Sequence, residues 1–169
     1  LRLHRKIFVI DNTVVWTGSM NMVDPRSFKQ DSGVGEWVDA MVRIEGPVAS
    51  QFELTFSFDW SVDNPKISHF KAVTPAATPS EGRVLAQEFS SGPVYRDDIL
   101  YQVLLSAIMD ARKELIITTP YFGPDDGLIQ ALMAAAGRGV KVTLIVPKLN
   151  DSALVAWSSH SLYADLMDA

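Results

Sequence analysis

Six residues near the start of the chain, His4, Lys6, Asp11, Gly18, Ser19 and Asn21, are spaced as H-x-K, four residues, D, six residues, G-S-x-N. In an extended segment residues i and i+2 share a face, so His4 and Lys6 point the same way with Cα atoms about 6 to 7 Å apart. A single anion can touch both. Gly18 permits a sharp backbone, and the Ser19 hydroxyl and Asn21 amide add uncharged donors. A neutral imidazole nitrogen in such surroundings can attack phosphorus while Lys6 and the donors hold the developing oxyanion charge, the chemistry of phosphoryl or phosphatidyl transfer. That chemistry requires no metal and no cofactor. Asp11 is the third member of the H-K-D set, yet strand parity puts it on the opposite face from His4, at a turn, where pairing locally or capping the hairpin is its expected work.

Taken singly, a His and a Lys on a strand are usually a polar face, and Gly-Ser-x-Asn is usually a turn. The specific signal is the combination at fixed spacing. The other two histidines, His69 and His160, have no comparable company and are read as surface or packing residues.

The elements that must position the motif follow from periodicity. Leu3 to Ile10 is β-rich, Asp11-Asn12 is a turn signal and Thr13 to Thr17 is β-rich again, which predicts a hairpin. After a polar loop, Trp37 to Ile44 reads as a strand, and Pro47 opens a helix carrying Val48, Phe52 and Phe56. Residues 63–82 contain Pro65, Pro75 and Pro79, with Pro93 shortly after, and read as a linker. Beyond it strands are expected at Arg83 to Phe89, Leu115 to Thr119 and Val140 to Val146. They alternate with helices at Asp97 to Arg112, Asp125 to Arg138 and Ser158 onward, an order that argues for a parallel or mixed sheet covered by helices. Asp97 and Asp125 sit at helix starts, and Gly137 and Gly139 end the middle helix. Ile99, Val103, Ile108, Leu128 and Leu132 are core candidates.

Composition narrows the function classes. Fifteen Lys plus Arg against 20 Asp plus Glu give a formal net charge of -5, and no basic run with interleaved aromatics occurs, so nucleic acid is not the expected partner. There is no cysteine, which excludes thiol chemistry and disulfides. With 47% hydrophobic and 21% charged residues the chain can bury a core. No apolar run approaches the roughly 20 residues of a membrane-spanning helix. The chain opens at Leu1 without an initiating Met or a signal peptide, and its last helical stretch has no stop signal, so it is expected to be an internal piece of a longer protein.

The residues carrying the motif also carry a resemblance. His4-Arg5-Lys6-Ile7-Phe8-Val9-Ile10-Asp11, followed by Thr17-Gly18-Ser19-Met20-Asn21-Met22-Val23-Asp24-Pro25, resembles the first motif of bacterial cardiolipin synthases in the phospholipase D superfamily. The Met20 to Pro25 tail is similar to synthases rather than nucleases. Val34 to Asp39, Arg43 to Pro47, Thr118 to Phe122, Pro124 to Asp126, Val146 to Lys148 and Asn150 to Ser152 look like the same family, so the resemblance covers nearly the whole chain.

It implies an α/β fold of phospholipase D-like lobes, each a mixed β-sheet with helices on both faces, here an incomplete bilobal fold. Residues 1–62 would be the C-terminal part of the first lobe, 63–82 the linker, and 83–169 the N-terminal part of the second lobe. It implies two half-sites facing each other. One histidine attacks the phosphorus of phosphatidylglycerol, the other protonates the departing glycerol, and a second phosphatidylglycerol then takes the phosphatidyl group to give cardiolipin; which role His4 takes first is left open. A downstream carboxylate would orient the histidine, with Asp39 the first choice and Glu36 the second. A second H-x-K half-site is not expected up to Ala169, so the chain alone is expected to be inactive. The implied partners are phosphatidylglycerol and other phospholipids, with the bacterial inner membrane reached through segments outside the chain. A homodimer or swapped dimer is also implied as conceivable, because some relatives build the site from two identical chains. The alternatives are a hydrolytic phospholipase D or nuclease with water as acceptor, and a non-catalytic domain with a decayed phosphate site.

Overall fold

The computed structural model describes residues 3–27, 33–63, 82, 84–92 and 98–169. They divide into two compact units, the first within Leu1–Phe28 and Glu36–Ser90, the second within Lys29–Gly35 and Ser91–Ala169.

Among its described residues unit 1 holds a three-stranded antiparallel sheet, a short 3-10 turn at Pro25–Ser27 and one α-helix. The strands β1 (Ile7–Ile10), β2 (Val14–Gly18) and β3 (Met41–Glu45) pair in that order. The turn from β1 to β2 closes through the Thr13 amide donating to the Ile10 carbonyl at 3.1 Å. Asp11 and Asn12 at its centre have φ of 51° and 55°. Positive φ at both central residues is what a hairpin turn matched to strand twist demands, and Asp and Asn tolerate it better than other side chains. The expected hairpin is present.

Helix α1 (Ala49–Asp63) packs on β1 and β2. Val15 and Ala49 are fully buried between them. The helix buries Ser50, Thr55, Ser57 and Asp59, while Leu54, Phe56 and Trp60 stay partly exposed. Phe56 and Trp60 stack on each other at 5.9 Å. The strand expected at Arg83 to Phe89 is corrected by the structure. Arg83 lies outside the described residues, and Val84 to Ser90 forms no strand but runs against α1 through polar contacts. The Glu88 amide donates to Gln51 Oε1 at 3.1 Å, and the Thr55 hydroxyl donates to Glu88 Oε1 at 3.3 Å. Among the described residues this segment pairs with no strand, and Val84 and Leu85 remain exposed.

Unit 2 contains α2 (Ile99–Asp110), β4 (Glu114–Thr118), α3 (Asp126–Gly137), β5 (Lys141–Ile145) and α4 (Ala153–Asp168). The strands β4 and β5 pair in parallel, Leu115 opposite Val142 and Ile117 opposite Leu144. The core is Ile108, Phe122, Ala131, Leu132, Ala135 and Val140, with Leu128 packed against it. The α/β class is therefore as expected, but among the described residues the two strand senses are segregated: antiparallel in unit 1, parallel in unit 2. No described helix is long and apolar enough to cross a membrane.

Capping sets the ends of α3. The Asp125 carboxylate accepts from the Leu128 amide at 2.9 Å. At the other end the Gly139 amide donates to the Ala136 carbonyl at 2.8 Å and the Val140 amide to the Ala135 carbonyl at 3.1 Å, a Schellman closure with Gly139 at φ 84° and Val140 buried against the core. The Arg138 guanidinium caps a second helix, donating to the Ile108 and Met109 carbonyls at 3.1 and 3.0 Å. Two expected starts differ. Asp97 lies outside the described residues, and α2 follows Asp98, which makes no side-chain cap bond. Helix α4 begins five residues before Ser158, at Ala153, because the Ser152 hydroxyl caps the Val155 amide.

The bonds from the Leu128 amide and the Tyr101 hydroxyl hold the Asp125 carboxyl below the usual carboxylate range. A carboxyl whose folded pKa is depressed contributes stability above its unfolded value of about 4 that is lost as pH falls through the folded value. Asp125→Ala should therefore lower the melting temperature at neutral pH and leave a smaller further loss on acidification. Melts of both proteins from pH 7 to pH 3 check this; parallel curves would contradict it.

Candidate active site

The segment Leu3 to Lys6 enters β1 and carries the first two motif residues. The Lys6 ammonium lies 2.7 Å from His4 Nδ1 and 3.1 Å from Nε2, and it donates to the His4 carbonyl at 2.7 Å. His4 is exposed and Lys6 half-buried. Both side chains thus lie on one side of the segment, within reach of one anion from solvent. Arg5, between them in sequence, turns the other way. Its guanidinium Nη1 meets both oxygens of Asp59 on α1, at 2.6 and 2.5 Å. The side chains of this pair are only 22% and 12% exposed. The alternation that turns His4 and Lys6 outward therefore ties the residue between them to the helix beneath.

Asp11 is at the far end of β1, seven positions after His4, and the four strand residues that lie between them alone span roughly 13 Å at strand rise. It serves the turn, exposed, with positive φ. The structure does not bring it to the imidazole and ammonium.

Gly18, at the end of β2, lies opposite Met41 of β3. A Cβ at Gly18 would overlap the Ala40 carbonyl oxygen and approach Met41 Sδ to 2.7 Å and its Cα to 2.8 Å. Glycine is required here by the neighbouring backbone. Gly18→Ala should cost about 2 kcal/mol, since backbone cannot give way as a flexible side chain does, and should lower the melting temperature by about 5 °C. A thermal melt of the variant checks this, and an unchanged midpoint would show that β3 can shift freely.

Ser19 continues the ladder one step, its amide donating to the Ala40 carbonyl at 2.9 Å. Its hydroxyl donates to Asp39 Oδ1 at 2.7 Å and accepts from the Ala40 amide at 3.0 Å. Ser19 is thus a brace between the end of β2 and the residues leading into β3. Among the described residues the Asp39 carboxylate bonds Ser19, not His4, and Glu36 is exposed in the loop before it. Asn21 is half-buried just beyond. The Asp24 carboxylate then clamps Arg26 through the backbone amide at 2.9 Å and the guanidinium at 2.9 and 3.0 Å, which holds its carboxyl below the ordinary range.

Two residues that sequence reasoning missed are Arg5 and Asp59. A lone acid inside Phe56-Ser57-Phe58-Asp59-Trp60 was the available signal, because a charge on an apolar helix needs a partner. The triplet His69-Phe70-Lys71 repeats H-x-K, but Ala76 stands where the motif would have its Asp, and all of it lies outside the described residues.

The model of the family described as cardiolipin synthase, PLD-like domain, matches residues 104–169. Cardiolipin synthase A of Serratia proteamaculans is 46% identical over the whole chain, that of Pectobacterium carotovorum 47% and that of Yersinia pseudotuberculosis 44%. Along its whole length the chain is similar to cardiolipin synthases. It spans 35% of the length of these curated relatives. No solved structure matches it.

Proposed function

We propose that this chain supplies one half-site of a phosphatidyltransferase that makes cardiolipin and glycerol from two phosphatidylglycerol molecules. The observation that carries the reading is the Lys6 ammonium set against the His4 imidazole on an accessible side of the segment. The cardiolipin synthase relatives supply the substrate class.

In the first step an imidazole nitrogen attacks phosphorus, the P–O bond to glycerol breaks, and the leaving oxygen takes a proton from the paired histidine. In the second step the hydroxyl of another phosphatidylglycerol gives its proton to that histidine and attacks phosphorus, and the N–P bond breaks. His4 fills one of these two roles, Lys6 neutralises the phosphoryl oxygens, and Asn21 adds a donor. Ser19 keeps the loop in place through Asp39. For Asp39 or Glu36 to orient His4 instead, the carboxylate would have to leave its present surroundings. In this reading the two units are the adjoining ends of two phospholipase D-like lobes, joined through residues 63–82, and the longer protein works at the bacterial inner membrane.

The test is the longer protein presented with phosphatidylglycerol vesicles. Cardiolipin plus glycerol supports transfer, whereas phosphatidic acid as the main product would move the assignment to hydrolysis. The 169-residue chain alone is expected to make no cardiolipin, because the transfer takes two histidines in facing sites; turnover that rises with the square of its concentration would instead reveal pairing of two chains.

A further inference from the structure

Transfer between two phospholipids brings two headgroups together, and unit 2 holds a cavity that the His4 site leaves unused. Its volume is about 250 Å³, and its lining includes Pro120, Phe122, Lys148, Trp157, His160 and Tyr163. Strand β4 ends at Thr118 and β5 at Ile145, so the cavity opens just past the carboxyl ends of the parallel pair, the side on which open α/β sheets take ligands.

The framework is braced from within. The Asn150 amide donates to the Pro120 carbonyl at 2.7 Å, and its oxygen accepts from the Ser152 amide at 2.9 Å. The buried Ser159 hydroxyl donates to the Phe122 carbonyl. Against these walls stand three groups with donors to spare. Among the described residues the Lys148 ammonium, the His160 ring and the Tyr163 hydroxyl have no hydrogen-bond or ion-pair partner; the two rings rest on each other at 5.3 Å. No carboxylate lines the cavity, in a chain whose net charge is -5. The nearby acid, Asp151, accepts from the Tyr121 hydroxyl at 2.9 Å. Trp157 and Leu149, 75% and 61% exposed, add apolar surface to the lining.

We propose that this cavity binds the phosphoryl headgroup of an anionic glycerophospholipid, with Lys148 meeting the phosphate and His160 and Tyr163 the remaining headgroup oxygens. The volume suits a headgroup rather than a whole lipid, and the exposed Trp157 and Leu149 suit the carbon that follows it. The inference deepens the transfer reading and rests on it for the identity of the ligand. His160, read from sequence as a surface or packing residue, becomes a binding residue here.

Binding rather than turnover tests it, in the full 169-residue chain. Dihexanoyl phosphatidylglycerol below its micelle concentration is titrated by calorimetry, with shifts of the His160 ring protons locating the site. The parallel arms are inorganic phosphate and dihexanoyl phosphatidylcholine. Phosphatidylglycerol should bind more tightly than either, Lys148→Met should weaken it by about tenfold and Tyr163→Phe by about threefold. Both cavity substitutions are at residues on the unit surface or partly exposed, and a melt confirms that each variant is folded. Unchanged affinity in Lys148→Met overturns the inference, as does the absence of binding by the folded chain. Phosphate binding as tightly as the lipid would replace the lipid headgroup with a free-phosphate ligand. A loss on His4→Asn instead of Lys148→Met would put the headgroup at the first site, which supports the transfer reading while overturning this one.

Discussion

His4→Asn in the longer protein should abolish cardiolipin formation, with turnover falling by at least about 10⁴-fold, the scale on which enzymes lose rate when a nucleophile or its proton-transfer partner is removed. The exchange is conservative in shape, and the Asn oxygen can still accept from the Lys6 ammonium, which lies 2.7 Å from His4 Nδ1. What it cannot do is attack phosphorus or carry a proton. Lys6→Met should cost less, roughly 10² to 10³-fold, because it removes one source of charge stabilisation and leaves the reacting nitrogen in place. The order matters more than either number: His4 worse than Lys6, with neither variant melting more than a few degrees below the parent, since both side chains are at least partly exposed. Turnover on phosphatidylglycerol vesicles, followed by separation of cardiolipin from substrate, gives both rates. A His4→Asn protein that keeps a tenth of the parental rate would remove the imidazole from the reaction.

The part of this site that could be read from sequence was the part fixed by local geometry. Residues two apart on an extended segment share a side whatever surrounds them, so the approach of Lys6 to His4 needed no knowledge of the fold. The positive φ values at Asp11 and Asn12 followed from the same kind of local rule. Ser19 shows where local rules stop. Its hydroxyl looked like a spare donor, yet the register of β2 with β3 carries Asp39 and Ala40 alongside it, and they consume its hydrogen-bonding capacity. That register depends on a loop of more than twenty residues between the strands, whose path no periodicity encodes. The expectation that Asp39 would reach His4 was drawn from family resemblance, and the bond to Ser19 is a contact that neither resemblance nor spacing announced.

The same division holds across the fold. In α3 each cap is written in adjacent residues, Asp125 before the helix and Gly139 after it, and the element was legible end to end. In α4 the cap is Ser152 without a Glu or Gln three residues later, Val155 standing there instead, so the reciprocal half of a capping box that would have marked the start is missing. Val84 to Phe89 has strand-like residues but no partner strand among the described residues, and α1 claims the segment through Gln51 and Thr55. Strand formation is a property of pairs, and one chain segment cannot declare it alone. Helix α1 carries Phe52 and Phe56 at helical spacing, but its buried positions are Ala49, Ser50, Thr55, Ser57 and Asp59.

Asp59 explains why the outward-facing site depends on something beneath it. Arg5→Ala should destabilise the protein by about 3 kcal/mol, the low end of the cost of stranding one member of a buried ion pair, because these side chains retain 22% and 12% exposure. In a chain of this size that corresponds to a fall of about 8 °C in melting temperature. The loss arises chiefly from leaving Asp59 desolvated without its partner, so Asp59→Ala, which strands an Arg that can swing toward water, should cost less. The double variant Arg5→Leu/Asp59→Leu removes both charges and should recover most of the stability, giving a coupling that a double-mutant cycle measures directly. Activity should not recover with it. Arg5 is the residue between His4 and Lys6, and its bond to Asp59 ties the segment that presents them to α1. A leucine pair packs there without that bond, so the restored protein should remain slower in turnover than its melting temperature suggests. If Arg5→Ala melted within a degree of the parent, the pair would be of the weakly contributing surface kind, and the orientation of His4 and Lys6 would have to come from β1 alone.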